Sequence, residues 1–205
     1  PTASLPELQD PAPAPSLLLA STSPQRRAIL EELGLPFEVV APRYEERDDD
    51  GLAPSELVRV HAAGKARSVV GEAAGRVVLG VDTAVVVDGR VLGKPTDGRE
   101  AGEMLALLSG RPHVVVSGLC LLGAGWEAVG HEETRVGFRR LSSEEIDAYV
   151  ATGEWEGRAG GYAIQSRGAA LVERVEGDYL NVVGLPSALL VSLLAERFPG
   201  AYGID

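Results

Sequence analysis

The sequence predicts an α/β fold in which helices pack on a mixed β-sheet. Short apolar or β-branched runs alternate with helix-length segments, and hairpin signals interrupt that alternation. Regular alternation alone would give a doubly wound parallel sheet, whereas hairpins add antiparallel neighbours. The core has to be aliphatic, because hydrophobic residues make up 45% of the 205 and aromatics only 5%. That length suits a compact domain with a buried core. The expected division is a Pro-rich, flexible leader over 1–15 and a single domain over 16–205.

The elements follow in order. Leu17, Leu18 and Leu19 form a short buried strand, and a turn over Ser21 to Ser23 leads to a helix. Ser23 is its N-cap, Pro24 takes the first helical position and Gly34 terminates it. Phe37 to Ala41 is the next strand, and the acidic stretch from Tyr44 to Asp50 is a loop. A long helix spans Pro54 to Ala74, with Leu57, Val58, Ala62 and Val69 on its core face. Two β-branched runs, Val77 to Leu79 and Ala84 to Val87, flank Gly80-Val81-Asp82-Thr83. Asp88-Gly89 signals a hairpin, with Arg90 to Leu92 as the return strand. A helix over Arg99 to Leu108 stops at Ser109-Gly110. Strands over His113 to Leu122 and Glu127 to Arg139 are joined by a turn at Gly123 to Gly125. Ser142 and Glu145 form a capping box for a helix through Val150. Gly153 to Gly168 is a long, Gly-rich functional loop. Leu171 to Val175 is a strand, and Pro186 opens a last helix that runs to about Arg197.

Composition excludes several functions. The net charge of −11 opposes general binding to nucleic acid or anionic membranes. A small phosphorylated ligand needs only local cations or a metal. No apolar run approaches the roughly 20 residues that span a bilayer, and no secretory signal is visible. The single cysteine, Cys120, lies in an apolar run and points to a reducing, cytoplasmic setting. A small buried hydrophobe explains it better than a nucleophile does.

Several segments carry possible chemistry. Ser21-Thr22-Ser23-Pro24-Gln25-Arg26-Arg27 joins a buried strand to a helix N-terminus. Free N–H groups and the helix dipole attract phosphate there, and two arginines add charge-assisted hydrogen bonds. An ordinary capped helix with solvated arginines explains the segment equally well. Asp82 stands between two apolar runs. A carboxylate so placed is paired, solvated in a cleft, or bound to a metal, and a turn cap is the plainer alternative. Leu92-Gly93-Lys94-Pro95 brings a lysine to a tight turn but is not a P-loop: the spacing from Gly89 is one residue short, and Pro95 replaces Ser or Thr. Lys65 sits among small helix residues, and Glu46 belongs to the acidic run. Taken singly, both fit a solvated surface. Gln165 in the Gly-rich loop offers an amide that can pair with a base edge. His61, His113 and His131 lack metal-ligand spacing.

In this order the segments resemble the Maf family of nucleotide pyrophosphatases over about Leu17 to Leu194. Ser21 to Arg26 is similar to its S-x-S-P-x-R motif and Gly80 to Thr83 to its G-A-D-T segment. Gly93-Lys94-Pro95 with Leu107 to Gly110 resembles its G-K-P and L-S-G stretch. Ala159 to Gln165 resembles its A-G-a-Y-g-I-Q loop, and Gly177 to Pro186 its late signature. The resemblance implies an elongated mixed sheet flanked by helices, with two lobes around a central cleft. It implies hydrolysis between the α- and β-phosphates of a nucleoside triphosphate, aided by Mg²⁺ or Mn²⁺. It assigns catalysis to Asp82, Lys94, Lys65 and Glu46, with Asp82 and Glu46 as metal ligands, and substrate binding to Ser21, Gln25, Arg26, Thr83 and Gln165. The partner expected is the nucleotide, without stable nucleic acid or membrane; a homodimer is compatible with it.

Thr83 and Gln165 match the branch resembling dTTP/UTP pyrophosphatases. Gln25 departs from it, since that branch usually carries arginine there, and Arg27 is a candidate substitute. A 7-methyl-GTP branch often carries tryptophan at that position, but usually replaces the Asp-Thr pair and the late glutamine. A non-catalytic nucleotide sensor affecting septum formation is the alternative from another class. The intact Asp82 and cleft cations weigh against it. An RNA-binding module is opposed by the charge and by the lack of clustered aromatics.

Overall fold

The computed structural model describes residues 15–46 and 51–201. All but the last residue of the expected leader, and the 47–50 end of the acidic segment, lie outside the described residues. The chain runs β1 (Leu17–Ala20), α1 (Pro24–Glu32), β2 (Phe37–Val40), α2 (Pro54–Arg67), β3 (Val77–Val87) and β4 (Arg90–Leu92). It continues with α3 (Gly98–Leu108), β5 (Pro112–Gly123), β6 (Trp126–Phe138), α4 (Ser143–Val150), β7 (Val172–Glu176), α5 (Tyr179–Val183) and α6 (Ser187–Arg197). The seven strands form one mixed sheet in the order β2-β1-β3-β5-β6-β7, with β4 beside β3.

Parallel pairing joins β1 to β2 and to β3, and every other pair is antiparallel. The Asp88-Gly89 hairpin forms as expected, with positive φ at both residues, 49° and 74°. β3 differs from expectation. It runs unbroken through Gly80-Val81-Asp82-Thr83 and pairs with β5 from Val78 to Val86. Val81 and Thr83 are β-branched and sustain the strand, so Asp82 is a mid-strand residue and not a junction.

The two edges of β3 are occupied differently. β5 covers one edge along most of its length. On the other, β1 pairs with Val77 to Gly80 and β4 with Val85 to Val87. Residues 81–84 between them have no strand neighbour on that side among the described residues. A cleft opens at this gap.

Alternation along β3 sends its residues to opposite faces of the sheet. Leu79, Val81 and Val85 join the main core with Leu30, Leu105, Leu190 and Leu194. Val78 packs under α2 with Ala62, Ala63 and Ala66, and Ala84 packs there with Val58. The helix lies so close that a Cβ on Gly80 would strike the Ala62 carbonyl, and one on Gly118 the Val58 carbonyl. Cys120 is fully buried on this face, and burial pushes its thiol up to about 12.

α2 ends at Arg67, seven residues before the expected Ala74. The Ser68 hydroxyl donates to the Lys65 carbonyl at 2.7 Å and accepts the Arg43 N–H at 3.0 Å, which closes the helix end. Val69, Val70 and Gly71 are weak helix formers, and a 3-10 turn over Val70–Glu72 follows. α5 was not expected. Asp178 caps it by accepting the N–H groups of Leu180 and Asn181. The segment expected as a long loop contains two short 3-10 turns, Ala159–Gly161 and Ser166–Leu171. Among the described residues no helix is long and apolar enough to cross a membrane.

Candidate active site

Two adjoining compartments open at the gap beside β3, with volumes of about 430 and 330 Å³. They share Ser23, Gln25, Arg26, Glu46, Lys65 and Lys94 and so form one continuous cleft. Asp82, Thr83 and Gln165 line the larger compartment, and Ser21 lines the smaller. All nine residues singled out from the sequence therefore meet in one place.

The centre of the cleft is an ion-paired triad. Lys65, buried on α2, reaches Asp82 Oδ1 and Glu46 Oε1 through Nζ, each at 2.6 Å. Nζ also lies 3.5 Å from the Val81 carbonyl oxygen at the open edge of β3. The period of the strand turns Asp82 toward α2, and the small residues around Lys65 let that helix come close. Burial pushes the Glu46 carboxyl up, but the hydrogen bond and charge of Lys65, with the charges of Lys94 and His61, outweigh it. Glu46 is thus held below its ordinary range.

Arg26 enters from the other face. Its Nε donates to the Gly184 carbonyl at 2.8 Å, Nη1 to Ser21 Oγ at 3.1 Å and Nη2 to Thr83 Oγ1 at 3.2 Å. Burial lowers its pKa, against the opposing pull of the Asp82 and Glu46 charges. Ser21 Oγ also accepts the Ser23 N–H at 3.2 Å, so this serine shapes the turn and steadies the arginine. Thr83 Oγ1 lies 2.8 Å from Ser117 Oγ on the neighbouring strand. Gln25 Oε1 accepts the Ser23 hydroxyl at 3.1 Å. The Ser23 cap holds as expected, accepting the Arg26 N–H.

Arg27 is not in the cleft. It pairs with Glu31 at 2.8 Å on the exposed side of α1, so it does not take the place of the missing branch arginine. One residue of helix turns a side chain by about 100°, which carries Arg27 away from the opening that Arg26 faces.

Lys94 is exposed at the cleft mouth and makes no ion pair among the described residues. Gln165 is exposed at the rim, next to buried Ile164 and near Val85 and Leu92 of the larger compartment. Tyr162 anchors this segment: its hydroxyl meets His113 Nε2 at 2.8 Å. Burial pulls His113 down to about 4, so its ring is neutral near pH 7. Arg158 lines the cleft without having been singled out from the sequence, and His61, read there as structural, and Tyr162, read there only as part of the loop motif, line it too. A histidine within a helix and an arginine in a Gly-rich loop carry no local signal that separates them from structural or solvated groups.

The profile of the Maf-like protein family matches residues 16–197. A dTTP/UTP pyrophosphatase of Symbiobacterium thermophilum is 49% identical over 180 residues, covering 88% of this chain and 93% of that protein. One of Moorella thermoacetica is 48% identical over 191 residues, covering 92% of this chain and 96% of the other. The Staphylococcus aureus Ham1 protein is a distant structural neighbour, with a TM-score of 0.40 and 13% identity over 60% of this chain and 71% of that one.

Proposed function

The chain belongs to the Maf-like family, and we propose that it hydrolyses the α–β phosphoanhydride of dTTP, UTP or a related nucleotide to the monophosphate and pyrophosphate. The observation that carries this is the Asp82–Lys65–Glu46 triad, set between a cation-lined compartment and one with an apolar wall. The polar compartment suits a polyphosphate, and the apolar wall with the Gln165 amide suits a base. The names of the relatives support the same reaction.

The residues divide the work by position. Asp82 stands at the cleft floor with Lys65 fixing one of its oxygens, and it takes the proton of the attacking water. Arg26 is held by three fixed acceptors and presents its remaining N–H hydrogens and charge to a phosphate. Lys65 and Lys94 supply positive charge where the leaving pyrophosphate gains negative charge. Gln165 pairs with the N3–H and an adjacent oxygen of a uracil or thymine edge.

A divalent cation fits the donor set. Lys65 takes one oxygen each from Asp82 and Glu46, which leaves the second oxygen of each carboxylate for a cation, and Mg²⁺ is usually held by one or two carboxylates plus substrate phosphates. No group of three or more His, Cys, Asp or Glu forms a ready cage among the described residues, so these two carboxylates would share the ion with the nucleotide. The ion supplies charge neutralisation of the phosphates.

The test is phosphorus NMR of the reaction with UTP, dTTP, CTP, GTP and 7-methyl-GTP in Mg²⁺ or Mn²⁺. Pyrophosphate and a monophosphate are expected as the first products, with UTP or dTTP the best substrate. Orthophosphate as the first product, or no turnover of any of the five, rejects the proposal.

A further inference from the structure

Arg158 stands apart from the partnered cations of the cleft, Arg26 and Lys65. It lines both compartments, as Arg26, Lys65 and Lys94 do, yet its guanidinium makes no hydrogen bond or ion pair among the described residues. Its Nε is buried without an acceptor. A buried donor left unmade is unfavourable, so native structures rarely keep one without a use.

The acceptors nearby are committed elsewhere. The Glu154 carboxylate takes the N–H groups of Arg167 and Gly168 at 3.3 and 3.1 Å. The Tyr149 hydroxyl takes the Ala163 N–H at 3.0 Å. Both raise the Arg158 pKa at a distance against the larger lowering effect of burial, but neither bonds to it. Glu46 is bound to Lys65. Glu156 remains as an exposed carboxylate in the wall of the smaller compartment.

The backbone holds Arg158 in place. It lies between Gly157 and Gly160, with φ of 69° and 70°, values that other residues resist. The Gly160 N–H donates to the Gly93 carbonyl at 2.9 Å. That bond ties the segment carrying Arg158 to the turn carrying Lys94. A Cβ on Gly160 would press on Val85 at 2.9 Å, so this close approach depends on glycine. Two cations are thus fixed together at the opening of the polar compartment.

We propose that Arg158 is a substrate-binding residue that clasps the β- and γ-phosphates, the part of the nucleotide that leaves as pyrophosphate. The proposal rests on the triphosphate reading of the cleft. Arg26, Lys94 and Arg158 face this region without a carboxylate partner among the described residues, and a polyanion is the occupant that neutralises them together. The planar guanidinium of a residue that lines both compartments donates through paired N–H groups to phosphate oxygens.

The experiment compares the parent with Arg158→Met and Arg158→Lys. Calorimetry measures binding of inorganic pyrophosphate and of UMP, kinetics gives KM and kcat for UTP, and calorimetric melting gives Tm. Arg158→Met is expected to weaken pyrophosphate binding and raise the KM for UTP by about tenfold, while UMP binding changes less than about twofold. Its Tm stays level or rises, because the unmade buried donor is gone. Arg158→Lys recovers part of the loss, since it restores charge without the fork. Pyrophosphate affinity within twofold of the parent in Arg158→Met overturns the assignment. So does a Tm fall of several degrees with kcat reduced and KM unchanged, which marks a structural arginine. If the parent turns over no nucleotide, the proposed function fails while the pyrophosphate titration still decides Arg158.

Discussion

Replacing Lys65 by Met tests whether the central triad is an energetic unit. The side chain is 6% exposed and bonds Asp82 and Glu46 at 2.6 Å each. Methionine fills nearly the same volume without the charge, so the perturbation is electrostatic. Asp82 is itself only 9% exposed and would be left with no cation in contact. Breaking a buried pair by removing one partner costs about 3–5 kcal/mol. The Glu46 side chain is 45% exposed and recovers water, so the lower end, about 3 kcal/mol, is expected. In a domain of this size 1 kcal/mol shifts Tm by about 2–4 °C, giving a fall of about 6–12 °C. Differential scanning calorimetry at pH 7 measures it. The double variant Lys65→Met/Asp82→Asn should regain a large part of the loss, because the stranded charge is gone. A Tm within 1 °C of the parent, or a double variant as unstable as the two single effects added, would refute the triad as a coupled unit.

Asp82→Asn is expected to fold and to lose at least about a hundredfold in kcat, since the amide accepts the Lys65 bond but takes no proton; pyrophosphate release on the folded variant checks it. Glu46 has a lowered folded pKa, so its stabilising contribution is present above its ordinary value of 4.5 and is lost as pH falls through the folded value. The Tm gap between the parent and Glu46→Gln should therefore be open at pH 7 and close as pH falls below that of free carboxylates. Gly80→Ala should destabilise by about 3 kcal/mol, because the new methyl meets the Ala62 carbonyl of α2; urea unfolding reads it. Gln165→Ala should lower kcat/KM for UTP by about tenfold and that for GTP by less than about threefold, flattening the base ranking.

Signals that act over a few residues were legible in the sequence. The Ser23 and Ser142 caps, the Asp88-Gly89 turn and the long hairpin of β5 and β6 each depend on neighbours in the chain. The misread elements were decided at longer range. β3 reads as two strands because Gly80 and Asp82 are poor strand formers, but continuous pairing with β5 carries it through them. α2 reads as running to Ala74 because the apolar pattern continues to Val69, whereas the Ser68 hydroxyl closes the helix at its Lys65 carbonyl. In the site, the resemblance named the residues but not their partners. That Lys65 lies between Asp82 and Glu46 follows from the closeness of α2 to the sheet. That Arg26 faces the cleft and Arg27 the solvent follows from one step of helix rotation.

The open edge of β3 explains how groups from opposite faces of a sheet meet. Asp82 points toward α2 and Thr83 points away, as alternation requires. In a fully paired strand, a neighbour would separate the ligands of one from those of the other. Here β1 stops at the level of Gly80 and β4 begins at Val85. Lys65 approaches Asp82 from the helix-covered face, while Arg26 reaches Thr83 from the other. The same end of β1 leads through Ser21 into the N-terminus of α1, so that helix starts where the sheet is interrupted. Its Ser23 cap, and Arg26 one turn in, therefore border the gap as a consequence of where β1 ends. Lengthening β1 by a paired residue would narrow the gap at Val81, whose carbonyl Lys65 now reaches. The short first strand is thus a condition for the cleft.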